Sequence, residues 1–434
     1  SEPAIYHVNA AAAELGDGTS FENAFPDLQE ALDRAQGGDV IVMAAGTYAP
    51  SKRLNGSSDP RAATFEITGN QDGLQIYGGF SGSESFDDVS EMDTALDGRE
   101  LSVNETILSG DIGTEGDTSD NAYHVLVLNG GGGIGAEVPA NITEATVLNG
   151  VTVSGGNADG SYPDTDGGGL YCDSQSTDNE CSPQITDVTF TGNSAGIGNN
   201  GRGGAIFNNG LNGGTSSPQI THAIFIGNSA DQGGAVFNDG RSEGESSPQI
   251  IGALFTGNSA ERGGAIYNSG ANGESSPQII GSTFTGSSAD QGGALYNTGA
   301  ASSPVLTNTI LWNNNNAGSG DEAYSVEATL TLINTLIEDG LDGVIEINDA
   351  STIDGDDNLE DDPRFVDADD PAGSDGTFGT EDDGLRLKLF SPALNAGINA
   401  PYEPGGIAET VTTDLLGEAR IQNGTVSLGA YERS

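Results

Sequence analysis

The sequence has few basic residues. Only 13 Lys and Arg stand against 65 Asp and Glu, which gives the 434 residues a net charge of −52 at pH 7. Nucleic acids and anionic membranes are bound through basic surfaces, so this chain is a poor candidate for either partner. The excess of carboxylates predicts a well-hydrated surface suited to high salt, a store of ligands for divalent cations, or both.

Histidine, cysteine and long apolar runs are also scarce. His7, His124 and His222 share no ligand spacing, which argues against a histidine metal site. No apolar run approaches the length that spans a membrane. Cys172 and Cys181 are the only cysteines; a disulfide between them would indicate an oxidising location, and two free thiols are the alternative. We expect the disulfide, and a secreted protein that has lost a signal peptide.

A repeated pattern fills residues 181–304. Its four copies read SPQITDVTFTGNSAGIGNNGRGGAIFN, SPQITHAIFIGNSADQGGAVFN, SPQIIGALFTGNSAERGGAIYN and SPQIIGSTFTGSSADQGGALYN. The proline of each copy and the glycine pair recur with a period near thirty residues. A fixed period of this length predicts a solenoid.

Each copy contains three short stretches of apolar or β-branched residues, and Gly, Asn or Ser closes each of them. None has the length or spacing of an amphipathic helix. Three strands per copy would form one coil of a parallel β-helix, with each strand about 4.8 Å from its copy in the next coil. Equivalent residues then stack. We predict an internal aromatic stack of Phe190, Phe225, Phe255 and Phe284, and an amide ladder of Asn208, Asn238, Asn268 and Asn297.

These motifs resemble those of known families. The alternation of GGAI or GGAIYN with FTGN is similar to the GGAI and FxxN repeats of the polymorphic outer-membrane protein family. The flanking segments resemble bacterial secreted β-helix proteins of the choice-of-anchor group, within the pectate-lyase-like superfamily. Those segments are DGTSFENAFPDLQEALDRAQGGDVIVMAAGTY, IYGGFSGSE, TILSGDI, SPALNAG and SLGAYE. The resemblance implies an all-β, right-handed parallel β-helix, but it leaves activity open because the fold hosts adhesins, lyases and hydrolases.

We expect a single elongated domain with four successive regions. Residues 1–64 would form the amino-terminal cap and first coils, with an amphipathic helix in PDLQEALDRAQGG covering the open end. Residues 65–180 would form early coils with long loops, and residues 181–345 the regular coils. Residues 346–434 would hold an acidic loop region and a carboxyl-terminal cap.

The acidic region suggests a calcium site. Nearly every second residue between Asp354 and Asp383 is Asp or Glu. Within it, SDGTFGTEDDG alternates carboxylates with glycines as calcium loops do, although the spacing is not that of an EF-hand. The alternative is a solvated acidic loop. The predicted calcium ligands are Asp375, Thr377, Glu381, Asp382 and Asp383.

The candidate catalytic residues form one column just before the glycine pairs. Asp231, Glu261 and Asp290 would lie about 5 Å apart on successive coils, near the carboxyl separation of a retaining glycosidase. Arg262, in the next column, could neutralise its neighbours. A carboxylate copied in every coil is more typical of a solvated turn or a cation ladder. Lyase chemistry is disfavoured because a charge of −52 repels polyuronates.

The function expected from these features is that of an exported, non-catalytic surface or extracellular-matrix protein, adhesin-like or self-assembling and stabilised by calcium. The alternative is a polysaccharide-active hydrolase or lyase, or a carbohydrate-binding protein on the same scaffold. The expected partner is a second copy of the chain or a cell-surface glycan. A groove lined by aromatic and acidic side chains would favour the carbohydrate functions.

Overall fold

Short parallel strands dominate the computed structural model, and they form four sheets of eleven, nine, five and nine strands. The chain visits these sheets in turn, so neighbours within a sheet are one coil apart. The residues described are 3–12, 16–85, 91–131, 134, 141–314, 322–347, 351–354 and 357–433. The fold is the predicted all-β, right-handed parallel β-helix, with the hand that parallel connections nearly always take.

The four sheets are numbered in the order in which the chain passes through them. Sheet 1 consists of Ile5–Val8, Val40–Ala44, Gln75–Phe80, Val147–Asn149, Gln184–Thr186, Gln219–Thr221, Gln249–Ile251, Gln278–Ile280, Val305–Thr307, Thr329–Ile333 and Ser351–Asp354. Sheet 2 consists of Gly46–Tyr48, Thr106–Ser109, Thr152–Ser154, Thr189–Thr191, Ile224–Ile226, Leu254–Thr256, Thr283–Thr285, Ile310–Trp312 and Leu336–Ile337.

The other two sheets complete each coil. Sheet 3 consists of Asn157–Ala158, Ser194–Ala195, Ser229–Ala230, Ser259–Arg262 and Ser288–Gln291. Sheet 4 consists of Phe65–Thr68, Leu126–Asn129, Leu170–Asp173, Ile206–Asn209, Val236–Asp239, Ile266–Ser269, Leu295–Thr298, Ala323–Val326 and Val344–Ile347. The described α-helices are Leu28–Leu32 and Met92–Asp97.

Both predicted ladders are present. The rings of Phe190, Phe225, Phe255 and Phe284 stack with centroid separations of 5.2, 4.5 and 4.4 Å inside the coils. The amides of Asn208, Asn238, Asn268 and Asn297 are joined by Nδ2 to Oδ1 hydrogen bonds of 2.8 Å each. The repeats therefore stack in register, and the inner columns are filled by one residue type each.

The two glycines of each pair have different roles. The first glycine of the pair, such as Gly233, has φ +65°, a conformation that favours glycine. A Cβ on the second glycine, Gly234, would lie 2.3 Å from the carbonyl oxygen of Gly264 in the next coil. One glycine turns the chain and the other lets successive coils approach.

The amino-terminal helix is shorter than the sequence pattern suggested. It covers Leu28–Leu32, begins where Asp27 accepts a 2.9 Å hydrogen bond from the Glu30 amide, and buries Leu28, Ala31 and Leu32. Its contacts are with the strands Ile5–Val8 and Phe65–Thr68. The helix thus joins the interior at the first coils, while its role as a cap stays a prediction.

The carboxyl-terminal segment, residues 357–433, lies along the side of the solenoid. The outward-facing Ile224, Leu254 and Ile310 of sheet 2 are covered by residues that include Leu428 and Tyr431. The amide of Ala430 donates to Thr283 Oγ1 at 2.9 Å and that of Gly429 donates to the Asn308 carbonyl at 2.8 Å. The segment expected as a terminal cap therefore buries the outer face of one sheet.

The predicted disulfide is present. Cys172 and Cys181 are bonded, with their Cα atoms 5.7 Å apart, and both are fully buried. Cys172 pairs in register with Asn208, so it occupies the amide column. In the part of the chain that the structure describes, no helix is long and apolar enough to cross a membrane.

Candidate functional site

The predicted catalytic column exists, but its members differ in environment. Ala260 pairs with Ala289 and Arg262 with Gln291, which places Glu261 beside Asp290 on the exposed face of sheet 3. Asp231, one coil earlier, was expected at an exposed turn and is instead 5% exposed.

The burial of Asp231 has a structural cause. Its carboxylate accepts hydrogen bonds from the amides of Gly198 at 2.7 Å and Asn200 at 2.6 Å. Asp231 therefore holds the loop that follows the strand Ser194–Ala195. No such loop exists in the next two coils, which leaves Glu261 and Asp290 in solvent. A catalytic role for the column stays a prediction.

Arg262 does not neutralise the column, contrary to expectation. Its guanidinium lies 5.9 Å from the ring centroid of Tyr296. Burial raises the pKa of Tyr267 to about 12, and the nearby guanidinium opposes this shift. Among the described residues, Arg262 forms no ion pair with Glu261 or Asp290. Its partners are the tyrosines of sheet 4.

Those tyrosines belong to a second aromatic ladder, on the outer face of sheet 4. Its members are Tyr171, Phe207, Phe237, Tyr267, Tyr296 and Tyr324. Tyr267 and Tyr296 stack with centroids 4.7 Å apart, and Tyr296 and Tyr324 with centroids 5.4 Å apart. Because stacked rings cover one another's faces, Tyr267 and Tyr296 offer only edges to solvent. A sugar ring has little aromatic surface to stack on here.

A charged cluster centred on Arg202 covers the first part of this ladder. Arg202 Nη2 lies 2.6 Å from Asp166 Oδ2, and Nη1 lies 2.9 Å from Asp239 Oδ2. Arg241 Nη2 also reaches Asp239 Oδ2, at 2.7 Å. The Arg202 guanidinium sits 4.5 Å above the ring centroid of Phe207.

The electrostatics of the cluster favour ion pairing over acid-base chemistry. Burial raises the pKa of Asp166, and Arg202 opposes that shift. Burial lowers the pKa of Arg202, but Asp166 and Asp239 outweigh it, so the pKa of the guanidinium is raised. Buried carboxylates that are paired in this way hold the strands and loops of the surface in fixed positions. This cluster could not be predicted from sequence spacing, because its members come from three different coils.

A buried carboxyl group lies where the regular coils end. Glu322 is 1% exposed and accepts hydrogen bonds from Asn314, at 3.0 Å from the amide and 2.8 Å from Nδ2. Burial raises the pKa of Glu322 to about 8, and the neighbouring carboxyl group of Glu338 adds to the shift. Both oxygens of Glu322 are thus occupied by Asn314, inside the fold and away from solvent.

Three of the predicted calcium ligands already accept hydrogen bonds from donors of the protein. Asp382 accepts from Ser374 Oγ at 2.6 Å and Thr380 Oγ1 at 2.8 Å, and these bonds lower its pKa to about 2. Asp383 is buried and accepts from Tyr431 Oη at 2.7 Å. Asp375 accepts from the amide of Thr377 at 2.8 Å.

A calcium site requires a convergent set of oxygen ligands. Within the described ranges, no three His, Cys, Asp or Glu side chains come together as a metal-binding group. Glu381 is exposed. A calcium ion at these residues would have to displace the hydroxyl and amide donors that now satisfy the carboxylates, and calcium at this loop stays a prediction.

An open groove of about 250 Å³ lies where sheet 1 meets the carboxyl-terminal segment. Its lining presents amide and hydroxyl groups and an imidazole. His222 Nε2 lies 3.0 Å from the carbonyl oxygen of Thr413, which ties the two walls together. The lining residues are Gln184, Thr186, Gln219, Thr221, His222 and Thr410–Thr413.

Comparison with known proteins adds little to this geometry. No family model matches the chain, and no curated protein matches it. One solved structure that resembles it is described as the crystal structure of pectate lyase Pel9A. The two share 14% identity over 100% of this chain and 97% of that chain, with a TM-score of 0.40. So distant a likeness carries no argument about activity, and the fold assignment rests on the strand pairing described above.

The site residues thus divide by task. Asp231, Asp166 and Asp239 hold loops and strands, and Glu322 is buried where it accepts hydrogen bonds from Asn314. Glu261 and Asp290 remain free to meet solvent ions or a partner. The groove at Thr221 provides neutral hydrogen-bonding groups and suits a neutral ligand.

Proposed function

We propose that this chain is an exported, non-catalytic β-helix that serves as a rigid, acidic element of a cell surface or extracellular matrix and associates with copies of itself. The observation that supports this most is the use of the repeated side chains. The Phe190 and Asn208 columns fill the interior, the Tyr267 column fills the outside of sheet 4, and Asp231 holds a loop. In a repeat protein that serves as a rigid scaffold, the repeated side chains are expected to pack against their copies in neighbouring coils.

Two further features agree with an exported element. A buried disulfide between Cys172 and Cys181 is typical of proteins that fold in oxidising compartments. A net charge of −52 keeps the surface hydrated and separates copies at low salt. Screening at physiological ionic strength reduces that repulsion beyond about 8 Å and would permit close contacts between copies.

The proposal is tested by looking for turnover and for assembly on the same preparation. Acidic and neutral polysaccharides should yield neither unsaturated uronates nor new reducing ends, and light scattering should show particles larger than one chain at physiological salt. A variant carrying Glu261→Gln and Asp290→Asn is the control for trace activity. Turnover that this variant loses would overturn the non-catalytic function.

A carbohydrate-binding or polysaccharide-active function is the second candidate, and the groove favours it. Its amide and hydroxyl lining would suit neutral sugars. Isothermal titration with neutral oligosaccharides should then show binding that Thr221→Ala and Gln219→Ala weaken. Gln278→Ala is a matched control, because Gln278 lies in the same column as Gln219 but outside the groove. Equal binding by all variants would exclude the groove.

A further inference from the structure

Four of the chain's 13 basic residues converge on one small area of the carboxyl-terminal segment. Two short stretches run antiparallel there: the Val366 amide donates to the Arg386 carbonyl at 2.8 Å, and the Lys388 amide donates to the Arg364 carbonyl at 2.9 Å. Arg433 joins them through a 2.7 Å hydrogen bond from Nη1 to the Leu387 carbonyl. Within the described part of the chain, none of these four cations forms an ion pair with a carboxylate.

The same area exposes large apolar side chains. Phe365 and Leu387 point inward and join the cluster that covers sheet 2. Beyond them, Leu389 is 61% exposed and Phe390 is 78% exposed. We name the group formed by Arg364, Val366, Lys388, Leu389 and Phe390 the basic-apolar patch.

The backbone of the patch is unusual as well. Phe390 has φ +68° and Arg364 has φ +54°, and Arg364 Nη1 donates a 3.1 Å hydrogen bond to the Phe390 carbonyl. The left-handed conformation is unfavourable for a bulky residue and costs nothing for glycine. Elsewhere in the same segment it is taken by Asn395, Asn423 and several glycines.

The strain at Phe390 is not recovered within the described fold. Its side chain is 78% exposed and adds little to the interior. Folding alone would favour Gly or Asn at position 390, as it does at position 395. A strained, exposed aromatic residue beside unpaired cations is what a binding contact would require.

We propose that the basic-apolar patch docks onto the acidic surface of a second copy of the chain. The inference rests on the proposed function, because it names the surface through which that function's assembly occurs. The patch offers unpaired cations, and the remainder of the chain offers a large excess of carboxylates. Val366, Leu389 and Phe390 would be buried by a protein surface, whereas aliphatic side chains gain little from a hydroxyl-rich glycan.

The contact would join different surfaces on the two copies. Such a heterologous contact is not satisfied in a pair, since one copy keeps a free patch and the other keeps a free acidic surface. It therefore extends into open chains unless the rotation closes a ring. Long-range repulsion would hold copies apart at low salt, so association should appear once the ionic strength is high enough to screen the net charge.

The experiment is sedimentation velocity on the full chain at several NaCl concentrations, with and without calcium. Phe390→Gly should weaken association by about tenfold or more in the dissociation constant, while leaving the melting temperature unchanged or higher because it relieves the strained backbone. Lys388→Glu should weaken association similarly. Val103→Ser and Arg53→Glu are matched controls on exposed residues outside the patch, and both should associate like the wild type.

Three results would overturn the proposal in different ways. If the wild type associates and Phe390→Gly associates equally, the patch is wrong and the assembling function stands. If the wild type stays monomeric at every salt and calcium level, both the patch and the assembling function fail. If the monomeric wild type binds a polyuronate and Phe390→Gly does not, the patch serves a glycan and docking to a second copy is overturned.

Discussion

Single residues show how one side-chain type serves three purposes in this protein. The carboxyl group of Glu322 is buried beside another carboxyl group, and its pKa is raised to about 8. Asp166 is buried against a guanidinium and remains paired. Asp382 lies in solvent, and hydroxyl donors lower its pKa to about 2. Environment, and not the abundance of acids, decides the protonation state at each position.

The pH dependence of Glu322 is the first prediction. Its pKa rises from 4.5 to about 8 on folding, so the folded state binds more protons than the unfolded state between these values. Stability is therefore lost as the pH rises through this window and stays constant above it. Glu322→Gln removes the titration and keeps an acceptor for Asn314. Its melting temperature should match the wild type near pH 5 and exceed it by about 2 °C or more near pH 9.

Glu346→Gln is the control for that measurement, because Glu346 is exposed on the strand Val344–Ile347. The control should follow the wild-type pH profile throughout. Parallel profiles for Glu322→Gln and the wild type would show that Glu322 ionises normally and is solvated in the folded state.

At the scale of elements, the disulfide and the amide ladder meet at one position. Asn208 Oδ1 is buried and finds no donor among the described residues. The position below it in the column is Cys172, which cannot donate because it is bonded to Cys181. The ladder therefore begins with one unsatisfied acceptor, at the point where the disulfide closes its loop.

Replacing the disulfide by a ladder residue is the second prediction. Removing a disulfide that closes so short a loop should lower the free energy of unfolding by about 2–3 kcal/mol. Cys172→Asn with Cys181→Ser should recover about 1 kcal/mol relative to Cys172→Ala with Cys181→Ser, because the new amide can donate to Asn208 Oδ1. Urea unfolding without reductant measures both differences. Equal midpoints for the two double variants would mean that the column does not extend to position 172.

The elements also separate what could be predicted from the sequence from what could not. Strands, the Phe190 stack and the Asn208 ladder follow from the period, because in-register stacking is a local consequence of repetition. The Tyr267 ladder had a visible signal, since the residue before each ladder asparagine is aromatic in all four copies. Alternation along a strand places that residue on the outer face.

Structural features that do not repeat along the chain could not be predicted from the period. The position of the carboxyl-terminal segment depends on which apolar face of the solenoid is left uncovered. The sequence around Ile224 does not indicate that its sheet has such a face. The contact of Glu322 with Glu338 depends on how an irregular coil closes. The Arg202 cluster collects Asp166 and Asp239 from different coils, so neither spacing nor composition could indicate it.

At the scale of the whole molecule, the excess of carboxylates is the dominant feature. The third prediction is that bound calcium stabilises the fold. An ion held by Asp375, Asp382 and Asp383 would add RT ln(1 + [L]/Kd) to stability. EDTA at constant ionic strength should then lower the melting temperature, and Asp375→Asn with Asp382→Asn should abolish that shift. Asp367→Asn with Asp369→Asn is a control from the same acidic region. An unchanged melting temperature in EDTA would favour the solvated loop.

The fourth prediction is that monovalent salt raises the melting temperature. This effect depends on the net charge of the protein and not on a particular site. A net charge of −52 repels itself more strongly in the compact state than in the unfolded chain. Raising NaCl from about 10 mM to 1 M shortens the screening length from about 30 Å to about 3 Å. The melting temperature should therefore rise with salt, most steeply at the low end.

The form of that rise distinguishes screening from binding. Screening depends on ionic strength alone, so NaCl and KCl should give the same curve. Exposed ion pairs such as Lys52 with Asp33 contribute little and should not reverse the trend. A calcium curve that lies above the NaCl curve at equal ionic strength would require specific carboxylate sites. A melting temperature that falls with salt would mean that ion pairs outweigh the repulsion, which would also remove the electrostatic reason for copies to associate only in saline conditions.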